Sequence, residues 1–136
     1  VASQVYTDGK AYILQTFFVG DVSVPPVFYI GLGTGGVVPD PDATLVDVPE
    51  VEGLDYAQIQ IDPDDWTLSG DILISPQLEW TNGSNIDAWT PVDHAFLTFS
   101  ATGDPADAIL IGAADLKNTL IVMPGQTIRI VVRFRL

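Results

Sequence analysis

Cysteine is absent and His94 is the only histidine, so neither a disulfide framework nor a thiolate or multi-histidine zinc site is open to this chain. Cations are nearly as scarce. Five lysines and arginines stand against eighteen acids, leaving a net charge of −13. Nucleic-acid binding needs clustered cations that displace phosphate counterions, and attraction to an anionic membrane needs the same, so both partners are excluded. No apolar run approaches the roughly 20 residues of a spanning helix. The opening residues Val1-Ala2-Ser3-Gln4 carry neither the basic region nor the apolar core of a signal sequence, and a cleaved upstream segment stays open.

What is present is enough for a core. The hydrophobic fraction is 47%, mean hydropathy is +0.30, and 136 residues fit a single domain, 1–136. A chain of this size buries roughly two-thirds of its unfolded surface and needs no staples. Strong acidity serves solubility, or it awaits a partner of opposite charge.

Along the chain, helix signals are confined to the start. Asp8 reads as a cap, Lys10 to Phe18 as the body and Gly20 as the stop, although the same apolar run also suits a buried strand. Pro25-Pro26 sets off an N-terminal segment, 1–25, that can extend. Strands are expected at 27–32, 55–61, 72–74, 78–80, 95–100, 108–113, 120–122 and 127–136. Between them, 33–49 is a long loop rich in glycine and proline. Pro76 marks an edge or a bulge, and Asn82-Gly83 signals a tight hairpin turn. The class this describes is mainly β: an antiparallel β-sandwich or jelly-roll-like barrel with at most one short N-terminal helix.

The last strand has the clearest pattern. Ile128, Ile130, Val132, Phe134 and Leu136 share one face, while Arg129, Val131, Arg133 and Arg135 share the other. Three of the five cations therefore lie on one strip. Such a strip is either a solvated face that blocks edge pairing or a contact for acidic loops on this subunit or a neighbour.

Signals for chemistry are few. Gly31-Leu32-Gly33-Thr34-Gly35-Gly36 has the G-x-G-x-x-G spacing, but Pro39 and Pro41 follow where a dinucleotide fold requires a helix, so a flexible loop is expected and no cofactor. Asp93 adjoins His94, but neighbours on a strand point apart, and no G-x-S-x-G elbow exists. No catalytic residue is assigned. The acidic loops Asp40-Pro41-Asp42 and Asp62-Pro63-Asp64-Asp65 lack the spacing of a calcium loop, and no metal site is assigned. Asn82-Gly83-Ser84 fits a glycosylation sequon as well as a turn, and the turn is preferred. Trp66, Trp80 and Trp89 suit core or interface anchors better than a sugar platform.

The order of features resembles the small β-rich virion proteins of tailed bacteriophages, most closely the head decoration (cement) proteins. The residues that carry this are the segment Lys10 to Phe18, the strand Phe28-Tyr29-Ile30-Gly31-Leu32 and the step Asp42-Ala43-Thr44-Leu45. The acidic run Glu50 to Ala57, Asp65-Trp66, Trp89-Thr90-Pro91-Val92 and the apolar finish after Pro124-Gly125-Gln126 complete it. The resemblance implies a sandwich-like subunit that trimerises on the capsid surface of the virion, binds the major capsid protein and stabilises the head without catalysis or cofactor. Tail and fibre components that bind a host glycan or protein receptor share this texture and are the alternative. Candidate interface residues are Arg129, Arg133, Arg135, Trp66 and Trp89.

Overall fold

The computed structural model describes residues 3–14, 18, 27–35, 44–100 and 108–135. Its elements are β1 (Ser3–Val5), α1 (Thr7–Leu14), β2 (Val27–Gly33), β3 (Ile59–Ile61), β4 (Thr67–Ser69) and β5 (Ile72–Ile74). They continue with β6 (Leu78–Thr81), β7 (Val92–Ser100), β8 (Ile109–Leu120), β9 (Thr127–Ile130) and β10 (Arg133–Arg135). The expected mainly β class, with one short N-terminal helix and antiparallel sheets, is what the chain adopts.

Five strands form the larger sheet in the order β1-β8-β7-β2-β3. Facing it are β10-β5-β4 and the pair β6-β9. Ile30, Leu32, Ala95 and Leu97 from the first sheet meet Leu78, Trp80, Ile130, Val132 and Phe134 from the second in one buried cluster. That is the two-layer solution available to sheets with one apolar face each. Strand β7 is buried on both faces, because Phe96 points the other way into a second cluster with Tyr6, Val48, Leu110 and Ala113.

Strand β1 pairs with β8, with Gln4 opposite Ala113, so the N-terminal residues described here are docked on the chain's own sheet. The helix begins at Thr7 instead of Lys10 and packs on β8. A Cβ at Gly9 would sit 2.8 Å from the Ile111 Cα, so only glycine lets the two backbones meet this closely. Tyr12 tilts against Phe99 with ring centroids 4.2 Å apart. Of the expected helical stretch, 15–17 and the Gly20 stop lie outside the described residues.

The last strand alternates as expected: Ile130, Val132 and Phe134 are buried, and Arg129, Arg133 and Arg135 are exposed. It is nevertheless two strands. Ile74 pairs with Arg133 and Leu78 with Ile130, so Ser75, Pro76 and Gln77 stand opposite only Val131 and Val132. This is the bulge that Pro76 suggested. The Ser75 hydroxyl bridges the gap, accepting from the Val132 N–H at 2.9 Å and donating to the Pro76 carbonyl at 2.8 Å. Elsewhere the expected strand 55–61 shrinks to Ile59–Ile61, and the separate strands at 108–113 and 120–122 become the single long β8, which stops at Leu120. The loop expected over 33–49 contains a 3-10 turn at Leu45–Asp47, while 36–43 lie outside the described residues.

Gly31 and Gly33 belong to β2 and are not part of a flexible loop. Gly31 pairs with Phe96 and Gly33 with His94. A Cβ at Gly31 would lie 2.3 Å from the Phe96 ring, and one at Gly33 would lie 1.9 Å from His94 Nε2. Both aromatic rings lie across bare glycine backbone on the neighbouring strand. The G-x-G spacing here serves two ring platforms, not a phosphate.

Candidate docking surface

Three loop segments, 52–56, 82–90 and 121–126, meet at one end of the sandwich and are tied by hydrogen bonds at every turn. Asn82 is the hub, fully buried. Its Nδ2 donates to the carbonyls of Asp87 (2.9 Å) and Val122 (3.0 Å), and its Oδ1 accepts from the Ser84 N–H at 2.9 Å. Its backbone N–H donates to the Gln126 carbonyl and its carbonyl accepts from the Gly125 N–H, each at 2.9 Å. Ser84 Oγ then accepts from the N–H groups of Ile86 and Asp87.

The expected tight hairpin at Asn82-Gly83 is therefore absent. A side chain that can satisfy three backbone groups at once is worth more inside the loop than at a two-residue turn. The same burial removes the sequon as a surface attachment point. Gly83 lies against the exposed Asp55 carboxylate, and Asp55 itself holds a left-handed φ of 63°. Asn82→Ala should cost about 2 kcal/mol, since it leaves the Asp87 carbonyl and the Ser84 N–H without this partner, takes one of two donors from the Val122 carbonyl and opens a void. Urea unfolding checks this, and a loss below about 1 kcal/mol would show that the hub does not hold the loops.

Trp89 is the second tie. Its side chain is 2% exposed, its Nε1 donates to the Leu54 carbonyl at 2.9 Å, and its backbone N–H donates to the Val122 carbonyl at 3.0 Å. The indole lies over Gly53, where a Cβ would come within 1.9 Å, and meets the Tyr56 ring edge-on at 5.7 Å. Thr90 and Glu52 exchange bonds beside it, the Glu52 N–H to Thr90 Oγ1 at 2.8 Å and the Thr90 N–H to the Glu52 carbonyl at 3.1 Å. Tyr56 closes the end of β2. Its hydroxyl accepts from the Leu32 N–H at 2.8 Å and donates to Glu50 Oε1 at 2.7 Å. Burial, chiefly, pushes its phenol pKa well above the ordinary tyrosine value; the Leu32 bond opposes this and Glu50 adds to it.

This saturated frame carries apolar side chains into solvent. Ile86 is 84% exposed, and Leu54, Ile121 and Met123 are each at least half exposed. Single exposed apolar residues need no explanation. Four such residues stand on loop segments at this end whose backbone is already fixed by internal bonds, so presenting them costs little further ordering.

The residues picked from sequence do not gather there or anywhere else. Trp89 lies beneath the face and supports it without reaching solvent. Trp66 is half-buried, edge-on to Phe28 at 6.2 Å, with its Nε1 sealed and without an acceptor among the described residues. Arg129 pairs with Glu79 at 2.7 Å and Arg135 with Asp71 at 3.2 Å, so two of the three strip arginines are answered within the chain. Arg133 is exposed opposite Ile74. The loop face itself escaped sequence reading, because Ile86 stands alone among polar neighbours, Ile121 and Met123 continue an apolar run that reads as a strand, and only the fold brings their segments together.

His94 is wholly buried, and neither ring nitrogen has a hydrogen-bond partner among the described residues. Burial lowers its pKa below the ordinary histidine value, against the opposing fields of Asp115, its cross-strand neighbour, and Asp93. Asp93 itself accepts a bond from the Thr119 hydroxyl. Asp62, Asp64 and Asp65 are exposed around a 3-10 turn, Asp40 and Asp42 lie outside the described residues, and no three acids or histidines converge among the described residues. A scan of protein-family models and a search of curated proteins both find no match to this chain.

Proposed function

We propose that this chain is a non-catalytic assembly subunit that docks on a larger protein surface through the loop end held by Asn82 and Trp89. The observation that carries this is the set Leu54, Ile86, Ile121 and Met123, exposed on loops whose backbone is already bonded in place. Interfaces of lasting complexes bury such side chains, and a rigid presenting frame lowers the entropy cost of association. A net charge of −13 keeps a protein with this apolar end soluble until it meets its partner.

The sequence resemblance supplies the setting: the outside of a bacteriophage head, with the major capsid protein as partner and the chain acting as a homotrimeric decoration protein that stabilises the shell. Symmetric closure is the common way for such a subunit to multiply a modest contact. The alternative, a tail or fibre component that reads a host glycan, loses Trp89 as a stacking residue and keeps Trp66 as its candidate.

The test is to mix the purified chain, after measuring its native mass, with undecorated shells. The expected result is a trimer that pellets with shells at fixed stoichiometry and raises their heat resistance. A monomer that stays in the supernatant, or decorated shells no more heat-resistant than bare ones, would remove the decoration role.

A further inference from the structure

The pair Asn82-Gly83 carries a reactivity that the fold holds in check. In an open chain the backbone nitrogen of the residue after an asparagine can attack the side-chain Cγ. Glycine obstructs that attack least, because it has no Cβ and takes almost any φ and ψ. The other two asparagines, Asn85 and Asn118, precede the stiff, β-branched Ile86 and Thr119, and both are exposed. The asparagine that is most reactive by sequence is thus the one that the fold buries completely.

The reaction is a hydrolysis through a cyclic imide. The Gly83 nitrogen bonds to Cγ and gives up its proton, and the Cγ–Nδ2 bond breaks as ammonia leaves with that proton. Water then opens the imide at either carbonyl, to aspartate or to isoaspartate. In the folded chain Nδ2 is held by the Asp87 carbonyl at 2.9 Å and the Val122 carbonyl at 3.0 Å. Releasing it breaks both bonds inside a site closed to water. The Ser84 N–H would favour the oxyanion at Oδ1, but it strengthens one bond against two lost.

The products do not fit the hub. An ionised aspartate accepts and cannot donate, so an oxygen in place of Nδ2 would face the two carbonyl oxygens with nothing to offer them. Isoaspartate adds a carbon to the main chain between the N–H and the carbonyl that bond Gln126 and Gly125. We propose that Asn82 is a deamidation site guarded by the fold. Opening of the loop hub exposes it, and the acid that forms prevents reclosure, so this end of the molecule is lost one way. The inference concerns the hub itself and does not depend on what the loops dock to.

The test follows the full chain by intact mass and peptide mapping at mildly alkaline pH, in native buffer and in guanidinium chloride. Asn82 should convert at least about a hundredfold faster in guanidinium, since the folded chain reacts only through its rare open state. Asn82→Asp should melt roughly 10 °C below wild type and below Asn82→Ala, or fail to fold. Chain aged in guanidinium and returned to buffer should behave like Asn82→Asp, while fresh chain taken through the same cycle recovers. Similar rates in the two conditions, conversion mapping first to Asn85 or Asn118, or an Asn82→Asp chain as stable as wild type would each overturn the proposal.

Discussion

Gly31→Ala should destabilise the fold by about 3 kcal/mol, lowering the melting temperature by roughly 10 °C for a domain of this size. The added methyl would stand 2.3 Å from the Phe96 ring, a distance no side-chain carbon tolerates. Phe96 cannot retreat, because it is wholly buried among Tyr6, Val48, Leu110 and Ala113. The alternative is to part β2 from β7, which share seven paired positions in the centre of the larger sheet. The mechanism has its own control. Phe96→Leu removes the ring that the methyl strikes, so Gly31→Ala and Phe96→Leu together should cost clearly less than the sum of the two. Strict additivity by thermal or urea unfolding would mean that Gly31 matters for some reason other than the ring above it.

Acid should weaken the fold through His94 alone among imidazoles, since the chain has no other histidine. The folded state keeps this ring neutral by burial, with a pKa below the ordinary value near 6.5. The unfolded chain takes up a proton near pH 6.5. The unfolded state therefore binds more protons as the pH falls, and stability that is complete above that pH is lost below it. The loss approaches about 1.4 kcal/mol per pH unit until the folded pKa is reached. Asp115 and Asp93 moderate this by favouring the charged ring. Urea midpoints at pH 7.5, 6.5 and 5.5 measure the slope. His94→Phe keeps a flat ring over Gly33 and should remove the part of the slope that wild type has and the variant lacks. Equal slopes in the two proteins would show that His94 is protonated at no cost and that its two partnerless nitrogens are not as sealed as they stand here.

These two predictions mark where sequence reading stops. The alternation of Ile128, Ile130, Val132 and Phe134 against Arg129, Arg133 and Arg135 was legible, because a strand's period of two needs no partner to be seen. The break in that strand was not, since its cause is Pro76 on the opposite strand, fifty-odd residues away in the chain. Gly31 reads locally as part of the strand 27–32 and Gly33 as the start of the long loop, with the G-x-G-x-x-G spacing as their shared signal. Their role appears only once the register sets Phe96 and His94 across from them. Asn82-Gly83 was read from local turn chemistry, and a buried side chain with three backbone partners overrode it. Trp89 reads as a core or interface anchor, and sequence has no means of saying which; the fold puts it in the chain's own core.

The loop face is the least legible feature of all, because neither its apolar tips nor its polar ties form a pattern in any one segment. It is also the central claim, and a pelleting assay with Ile86→Asp and Met123→Asp combined tests it most directly. Both side chains are at least half exposed, so the doubly substituted chain should fold and melt like wild type. This protein should stay in the supernatant when mixed with undecorated shells that pellet the wild type. Equal pelleting of the two proteins would contradict it and place the docking surface elsewhere on the molecule.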